Sequence, residues 1–221
     1  MKISVVVPCL NEEANLPRLL KTLPKSEYLC EIIVVDGGSS DRTREVAISF
    51  DSVSCISSRR GRGAQLNAGA AVATGEVIWF LHADCEVDPR AIQAIFRVFA
   101  DQRKPIIGGA FRFALSSPAF RYRVIEWGVF VRSFVFACPY GDQGFFVLRS
   151  AFTDLGGYPE LEQMEDYYFW KKLRSLGPLR MINIPLLTSA RKWEQQGLIR
   201  TTLGNWKKIL FGLDRAEQVR S

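Results

Sequence analysis

The sequence predicts an α/β domain with a mainly parallel central sheet flanked by helices, and three observations predict it. Short apolar runs alternate with stretches of helical period through the first half, the mark of successive βαβ units. Glycine, proline, asparagine and aspartate punctuate the junctions, where turns need them. The 221 residues, 48% of them hydrophobic, suffice for one domain of ordinary size with a substantial core.

The strand-like runs are Ile3 to Val7, Glu31 to Val35, Val53 to Ile56 and Val77 to Leu81. After the first, Leu16, Leu19, Leu20 and Leu23 fall at helical spacing, with Asn11 or Asn15 as the cap. After the second, Gly37-Gly38-Ser39-Ser40-Asp41 forms a tight turn and caps a helix that begins near Arg42. Asp88 as cap, with Pro89 at the first helical position, opens a helix whose face is Ile92, Ile95, Phe96 and Phe99. Gly109 to Leu115 and Gly144 to Leu148 read as further strands, and the aromatic segment between them is ambiguous. Glu165-Asp166 opens a helix carrying Phe169, Leu173 and Leu176, stopped by Gly177-Pro178. Ile199, Leu203, Trp206, Leu210 and Leu213 form a C-terminal amphipathic helix. The chain is thus expected to be one domain over residues 1–221, with a nucleotide-binding half to about residue 100, an acceptor and catalytic half over about 101–193, and the terminal helix over about 194–221.

The formal charge of +6 favours anionic partners without choosing among them. No basic start, apolar stretch and cleavage pattern opens the chain, so the expected location is the cytoplasm. Val124 to Cys138, the longest apolar stretch, contains Glu126 and Arg132 and falls short of the roughly 20 residues a spanning helix needs. Five cysteines stand singly, without zinc or redox spacing, and read as reduced structural thiols.

Asp36 and Asp84 each follow an apolar run, at strand ends where open α/β sheets bind ligands. On neighbouring strands they would supply two carboxylates to one crevice, suited to a nucleotide and a divalent metal. Pro8-Cys9-Leu10-Asn11-Glu12 faces the same crevice, or is a turn capped by Asn11. Ser58-Arg59-Arg60-Gly61-Arg62-Gly63 offers guanidinium forks and exposed amides to phosphate oxygens, or is a solvated basic loop. His82 and Asp84, two apart, point to one side of the sheet. Asp84 suits Mg2+ or Mn2+, and an imidazole ligand from His82 would tilt the preference to Mn2+. Glu165-Asp166 fits helix capping as well as catalysis. Trp127, Phe130, Phe134, Phe136 and Tyr140 read as core, or as an apolar wall for the acceptor that, with Trp206-Lys207-Lys208-Ile209, docks on anionic lipid.

In order, these motifs resemble the family-2 glycosyltransferases of GT-A fold, a Rossmann-like architecture. They are Val5-Val6-Val7-Pro8 with Asn11-Glu12-Glu13, Val34-Val35-Asp36-Gly37-Gly38-Ser39-Ser40-Asp41, Asn67-Ala68-Gly69, Thr74-Gly75-Glu76, Leu81-His82-Ala83-Asp84, Gly141-Asp142-Gln143-Gly144 and Glu165-Asp166. Each is weak alone, and the ordered set over residues 3 to 193 is specific. The combination of Arg60-Gly61-Arg62-Gly63, Leu81-His82-Ala83-Asp84 and Ser189-Ala190-Arg191 most resembles a compact bacterial group of radical-SAM/selenodomain-associated transferases.

The resemblance implies an inverting, hexosyl-type transfer from a nucleoside diphosphate sugar to an acceptor hydroxyl. Pro8, Asn11, Glu12 and Asp36 would hold the nucleoside, and Arg60 and Arg62 the nucleotide or its phosphates. Asp84 would bind Mn2+ or Mg2+, Asp166 would act as general base, and Arg191 and Trp193 would steady the leaving diphosphate. His82 stands where the family's D-x-D pattern has its first aspartate, and Arg191-Lys192-Trp193 meets only part of the processive Q-x-x-R-W pattern, so a single transfer is expected. The expected partners are the donor and an acceptor, lipid-linked among the candidates, with peripheral contact at the inner membrane face and a homodimer through the terminal helix as further expectations. A nucleotide-sugar sensor without catalysis is the alternative on the same fold. A basic nucleic-acid module is the less favoured one, since no aromatics interleave with the arginines.

Overall fold

In the computed structural model the described residues are 1–101, 105–117, 119–135 and 139–189. The elements are β1 (Ile3–Cys9), α1 (Leu16–Thr22), β2 (Leu29–Asp36), α2 (Thr43–Ile48), β3 (Val53–Ser57), α3 (Arg62–Val72), β4 (Val77–Phe80), β5 (Cys85–Glu86), α4 (Ala91–Ala100), β6 (Gly108–Leu115), α5 (Phe120–Phe130), β7 (Phe146–Leu148), α6 (Arg149–Leu155), α7 (Glu165–Leu176) and β8 (Leu179–Thr188). A π-helical turn, Val131–Val135, continues α5, and a 3-10 turn, Gly141–Gln143, precedes β7.

The strands form one sheet in the order β3-β2-β1-β4-β7-β6-β8-β5. The first four are parallel throughout, as the alternating pattern predicts. Beyond them the sheet is mixed, because β7 runs antiparallel to both β4 and β6 and β5 runs antiparallel to β8, while β6 and β8 are parallel. The strand order reverses at β1, which has β2 on one side and β4 on the other. Asp36 and Asp84 therefore do not leave neighbouring strands. The C-terminal ends of β1 and β4 instead open the crevice such a reversal creates.

The period of two along each strand divides the core between the faces. Val5, Val7, Ile32, Val34 and Trp79 face one way, against Leu16 and Leu19 of α1 and Ile92 and Ile95 of α4. Val6, Ile33, Val35, Ile78 and Phe80 face the other, against Leu66 of α3, Phe152 of α6 and Phe169 and Leu173 of α7. Both faces of the sheet are covered, so the first strands read as continuous apolar runs.

Several elements depart from the sequence expectation. α4 begins at Ala91, two residues past Pro89, with the Asp88 carboxylate accepting from the Arg90 amide and guanidinium. α1 starts after Asn15, whose side chain donates to Glu12 and makes no helix cap. Helix α3 has no bulky stripe to announce it, since most of its buried positions are glycine, alanine or Gln65. Strand β8 is masked by Pro185, which sits at a register shift against β6 where its missing amide leaves no ladder bond unmade.

In the aromatic segment the core expectation fails for two residues, since Trp127 is 69% and Phe130 39% exposed. Phe134 stacks on Phe130. Tyr122 and Ile125, on the opposite side of α5, pack on Phe113 and Leu115 of β6. Among the described residues no helix is long and apolar enough to cross a membrane, and Cys9, Cys30, Cys55 and Cys85 are free thiols. The terminal amphipathic helix, Phe136, Cys138, Arg191 and Trp193 lie outside the described residues.

Glycine at position 69 is what lets α3 reach the sheet. A Cβ there would lie 2.9 Å from Val35 Cγ2 and nearer still to Val6 Cγ1, so neither strand could keep its place. Gly69→Val is expected to destabilise the fold by about 1–3 kcal/mol or more, the usual cost of overpacking, read as a lower denaturation midpoint in urea.

Candidate active site

Where β1 and β4 end, a cavity of about 700 Å3 opens. Six separate parts of the chain wall it, among them the end of β8 with Thr188 and Ser189. The end of β1 supplies Pro8 and the loop after it Glu12, the entry to α3 supplies Arg60 and Arg62, and the turn after β4 supplies His82 and Asp84. The 3-10 turn contributes Tyr140 and Asp142, and the first turn of α7 contributes Glu165 and Asp166.

Each wall is held by backbone geometry. The loop after β1 is tied to the turn after β2, because the Asn11 carboxamide accepts from the Ser40 amide and the Asn11 amide donates to Ser39 Oγ. Asn11 takes a left-handed conformation, φ 56°, which asparagine tolerates better than most residues. It is a loop brace, and is not among the residues lining the cavity. Asp36, unlike exposed Asn11, is buried, its carboxylate accepting from the Gly38 and Ser39 amides and lying 3.8 Å from Arg44 Nη1. It shapes the turn beside the cavity and is not among the lining residues either.

His82 and Asp84 do not sit on a strand as their spacing predicts. β4 ends at Phe80, and the two residues lie in a turn closed by the Cys85 amide on the His82 carbonyl. Both nevertheless face the cavity. The end of β8 secures this corner: the Ser189 amide donates to the Asp84 carbonyl and Thr188 Oγ1 to the Asp142 carbonyl. Buried Gln143 fixes the 3-10 turn, its amide nitrogen donating to the Phe111 carbonyl while its oxygen accepts from Ser133 Oγ and the Tyr140 amide.

Asp166 is the chemically distinctive group. It lies in the first turn of α7, 9% exposed, beside buried Glu165, and its Oδ1 has no hydrogen-bond partner among the described residues. Gly141 packs so closely that a Cβ there would fall 2.5 Å from the Asp166 carboxyl carbon. Burial pushes the Asp166 carboxyl up to about 7; the Glu165 charge adds to this, Arg62 opposes it, and Asp142 adds again. An acid with that proton affinity suits proton transfer near neutral pH. The helix-capping reading explains it less well, since no side chain caps α7, whose N-cap Met164 is left-handed at φ 69°.

Arg62 donates to Glu165 Oε1 at 3.0 Å and lies 3.9 Å from Asp166 Oδ2. Burial acts to lower its proton affinity, but Asp166 and Glu165 outweigh this and hold it above the usual arginine value. Arg59, by contrast, turns to Glu160.

The cavity thus gathers Pro8, Glu12, Arg60, Arg62, His82, Asp84 and Asp166 from the residues the sequence singles out. It also contains Tyr140, read from the sequence as core or acceptor wall, and Asp142, Glu162 and Met164, which sequence reasoning assigned no role. Asp142 stood inside a quoted motif, and its place next to two other carboxylates is the signal that only three dimensions reveal. For a divalent metal the chemistry of the donor set fits: a carboxylate and an imidazole share one corner of an acid-rich cavity. Among the described residues no group of three or more His, Cys, Asp or Glu is arranged to hold a metal, so phosphate oxygens and water would complete the shell, as Mg2+ commonly has it.

Residues 4–156 match the family model described as glycosyl transferase family 2. A probable glycosyltransferase of Bacillus subtilis, YdaM, is 27% identical over 88% of this chain and 51% of its own length. The 4,4'-diaponeurosporenoate glycosyltransferase of Staphylococcus haemolyticus is 32% identical over 46% of this chain and 29% of its own. The chain spans about half or less of the length of such curated relatives. Among solved structures, TarS of S. aureus in complex with UDP-GlcNAc superposes with a TM-score of 0.67 at 17% identity, covering 86% of this chain and 58% of that one. The mannosyltransferase PcManGT of Pyrobaculum calidifontis, in complex with GDP-Man and Mn2+, gives 0.64 at 22% identity, covering 85% and 56%. At these identities the structural likeness establishes the mixed α/β fold of GT-A type.

Asp166 makes stability depend on pH in a definite direction. Its folded-state value of about 7 exceeds the ordinary 3.8, so the folded state holds the proton more tightly and stability falls as pH rises from about 4 to about 7. Asp166→Asn is expected to flatten that slope and to melt above the wild type at pH 8, as followed by thermal unfolding across pH.

Proposed function

Because the chain belongs to glycosyl transferase family 2, we propose that it transfers a sugar from a nucleoside diphosphate donor to an acceptor hydroxyl, with inversion and with Asp166 as general base. One observation carries this reading: a cavity at the strand-order reversal holds a buried carboxylate with a proton affinity near neutrality and a separate Asp84–His82 corner. Base and metal corner are distinct parts of one space, as a direct displacement requires.

In this mechanism Asp166 Oδ1, which has no hydrogen-bond partner among the described residues, accepts the proton of the acceptor hydroxyl. The acceptor oxygen forms its bond to the anomeric carbon as the bond from that carbon to the diphosphate oxygen breaks, and the electron pair leaves with the nucleotide. Low exposure keeps the base from being levelled by water. Arg60 faces the entering diphosphate and offsets its charge. Among the described residues, Glu12, Asp84, Asp142, Glu162, Glu165 and Asp166 outnumber Arg60 and Arg62 in the cavity lining, so a diphosphate is best met there with further positive charge. Mn2+ or Mg2+ bound by Asp84 and His82 would supply it and stabilise the leaving phosphate. The neighbours solved with Mn2+ are consistent with such a requirement. Pro8 and Glu12 are placed to hold the nucleoside, with Asp36 shaping the adjoining turn.

Thermal shifts with UDP- and GDP-sugars, with and without Mn2+ or Mg2+, test donor and metal together. The expected result is a metal-dependent rise in melting temperature with at least one donor, lost in Asp84→Ala. No metal-dependent rise with any donor would count against the proposal. For the base, Asp166→Asn is expected to lower kcat by about 10²–10⁴, the usual contribution of general base catalysis. Gly141→Ala, which displaces the Asp166 carboxylate, is expected to lower kcat by about 10² with donor affinity little changed.

A further inference from the structure

Arg62 stands in the part of the chain that a phosphate-binding role would use, yet its guanidinium is turned to carboxylates. Nη1 is 3.0 Å from Glu165 Oε1 and 3.9 Å from Asp166 Oδ2. The backbone makes this engagement hard to undo. Arg62 is the first residue of α3, and Gly63 beside it approaches α7 so closely that a Cβ would lie 2.8 Å from the Pro159 carbonyl and 3.8 Å from Glu165 Cβ. Asn67, a turn and a half further on, clamps the chain before α7 from both sides, its Nδ2 donating to the Tyr158 carbonyl and its Oδ1 accepting from the Tyr158 amide. The two helix starts are thus locked together with Arg62 between them and the two carboxylates.

We propose that Arg62 is a positioning residue for Asp166, anchored by Glu165, and that it does not bind the donor's diphosphate. This rests on the glycosyl-transfer reading only in calling Asp166 the base. The charged and titratable groups facing Asp166 are Glu165 on its own helix, Asp142 on the 3-10 turn, Arg62 on α3 and the buried Tyr158 hydroxyl on the loop before α7. Among the described residues Arg62 is the one cation of this group. Without it, three carboxylates share a buried space, and like charges so placed cannot all ionise at neutral pH. Asp166 would then keep its proton and could not receive another. Glu165 acts the opposite way: it holds Arg62 in place, and its own charge raises the proton affinity of Asp166.

The two partners therefore have opposite signatures. In the full chain, Arg62→Gln is expected to move the acidic limb of the kcat/KM profile to higher pH by about one unit or more, an activity loss of about tenfold at pH 7 that narrows at pH 9. Glu165→Gln is expected to move that limb to lower pH. Arg62→Lys should restore part of the wild-type profile, and donor KM should change less than threefold in Arg62→Gln while rising in Arg60→Gln. A donor KM raised tenfold or more in Arg62→Gln with the acidic limb unmoved would overturn the proposal and make Arg62 a diphosphate ligand. A second readout needs no turnover: the Asp166 carboxyl carbon, followed by NMR against pH, should titrate higher in Arg62→Gln and lower in Glu165→Gln than in the wild type. Unchanged titration in both overturns the positioning role even if the enzyme is active. The expected shifts in a protein inactive with every donor would sustain the Arg62 assignment and count against glycosyl transfer instead.

Discussion

The close approach of α3 to the sheet is the constraint on which the site depends. Gly69 brings the helix against Val6 and Val35 without a side chain between them, and Gln65 fixes its height by donating to the Cys9 and Val35 carbonyls at the ends of β1 and β2. Asn67 and Arg62, on the same short helix, then reach the loop before α7 and the first turn of α7. One helix thus registers the strand ends that open the cavity to the helix that carries Asp166. A side chain at Gly69 would shift this whole chain of contacts, since densely packed interiors transmit strain and absorb little of it.

The electrostatics of the cavity follow from that registration. Among the described residues, acids from four parts of the chain converge on a space lined by Arg60 and Arg62, an arrangement that disfavours an anionic ligand by itself and favours one that arrives with a cation. The burial that makes Asp166 hold its proton would also make it useless as a base if nothing opposed it, because a carboxyl fully kept neutral accepts no proton. Arg62 supplies the opposition, and Glu165 holds Arg62 where it can act. Stability is given up at this corner in exchange for a carboxyl poised near neutrality, as functional sites commonly show.

Much of the architecture was legible from local pattern. The first four strands, α1, α2, α4 and α7 were visible as apolar runs and helical spacings, because each buries a stripe or face that its own sequence must carry. What escaped was whatever does not bury itself in the usual way. Helix α3 has small residues where a stripe would be, since it packs at backbone distance. β8 carries Pro185 at a bulge, and β5 is two residues long. In the site, Pro8, Glu12, Arg60, Arg62, His82, Asp84 and Asp166 could be named because they sit at element junctions, where ligands bind in α/β folds. Asn11 and Asp36 sit at such junctions too, and their side chains are taken up by neighbouring turns. Spacing along the chain cannot tell a junction residue that braces a loop from one that faces a cavity.

By itself, the sequence determined the α/β class, the parallel first half and the family, because hydrophobic period and the order of motifs are properties of the chain read in one dimension. The tertiary structure alone decided that β1 separates the strands that Asp36 and Asp84 follow, that the second half of the sheet is mixed, and that Asp142, Glu165 and Asp166 share a space with Arg62. The physical reason is that burial and charge act through distance. Arg62 and Glu165 are 103 positions apart in the chain and 3.0 Å apart in the fold, and the proton affinity of Asp166 is set first by burial and then by these neighbouring charges.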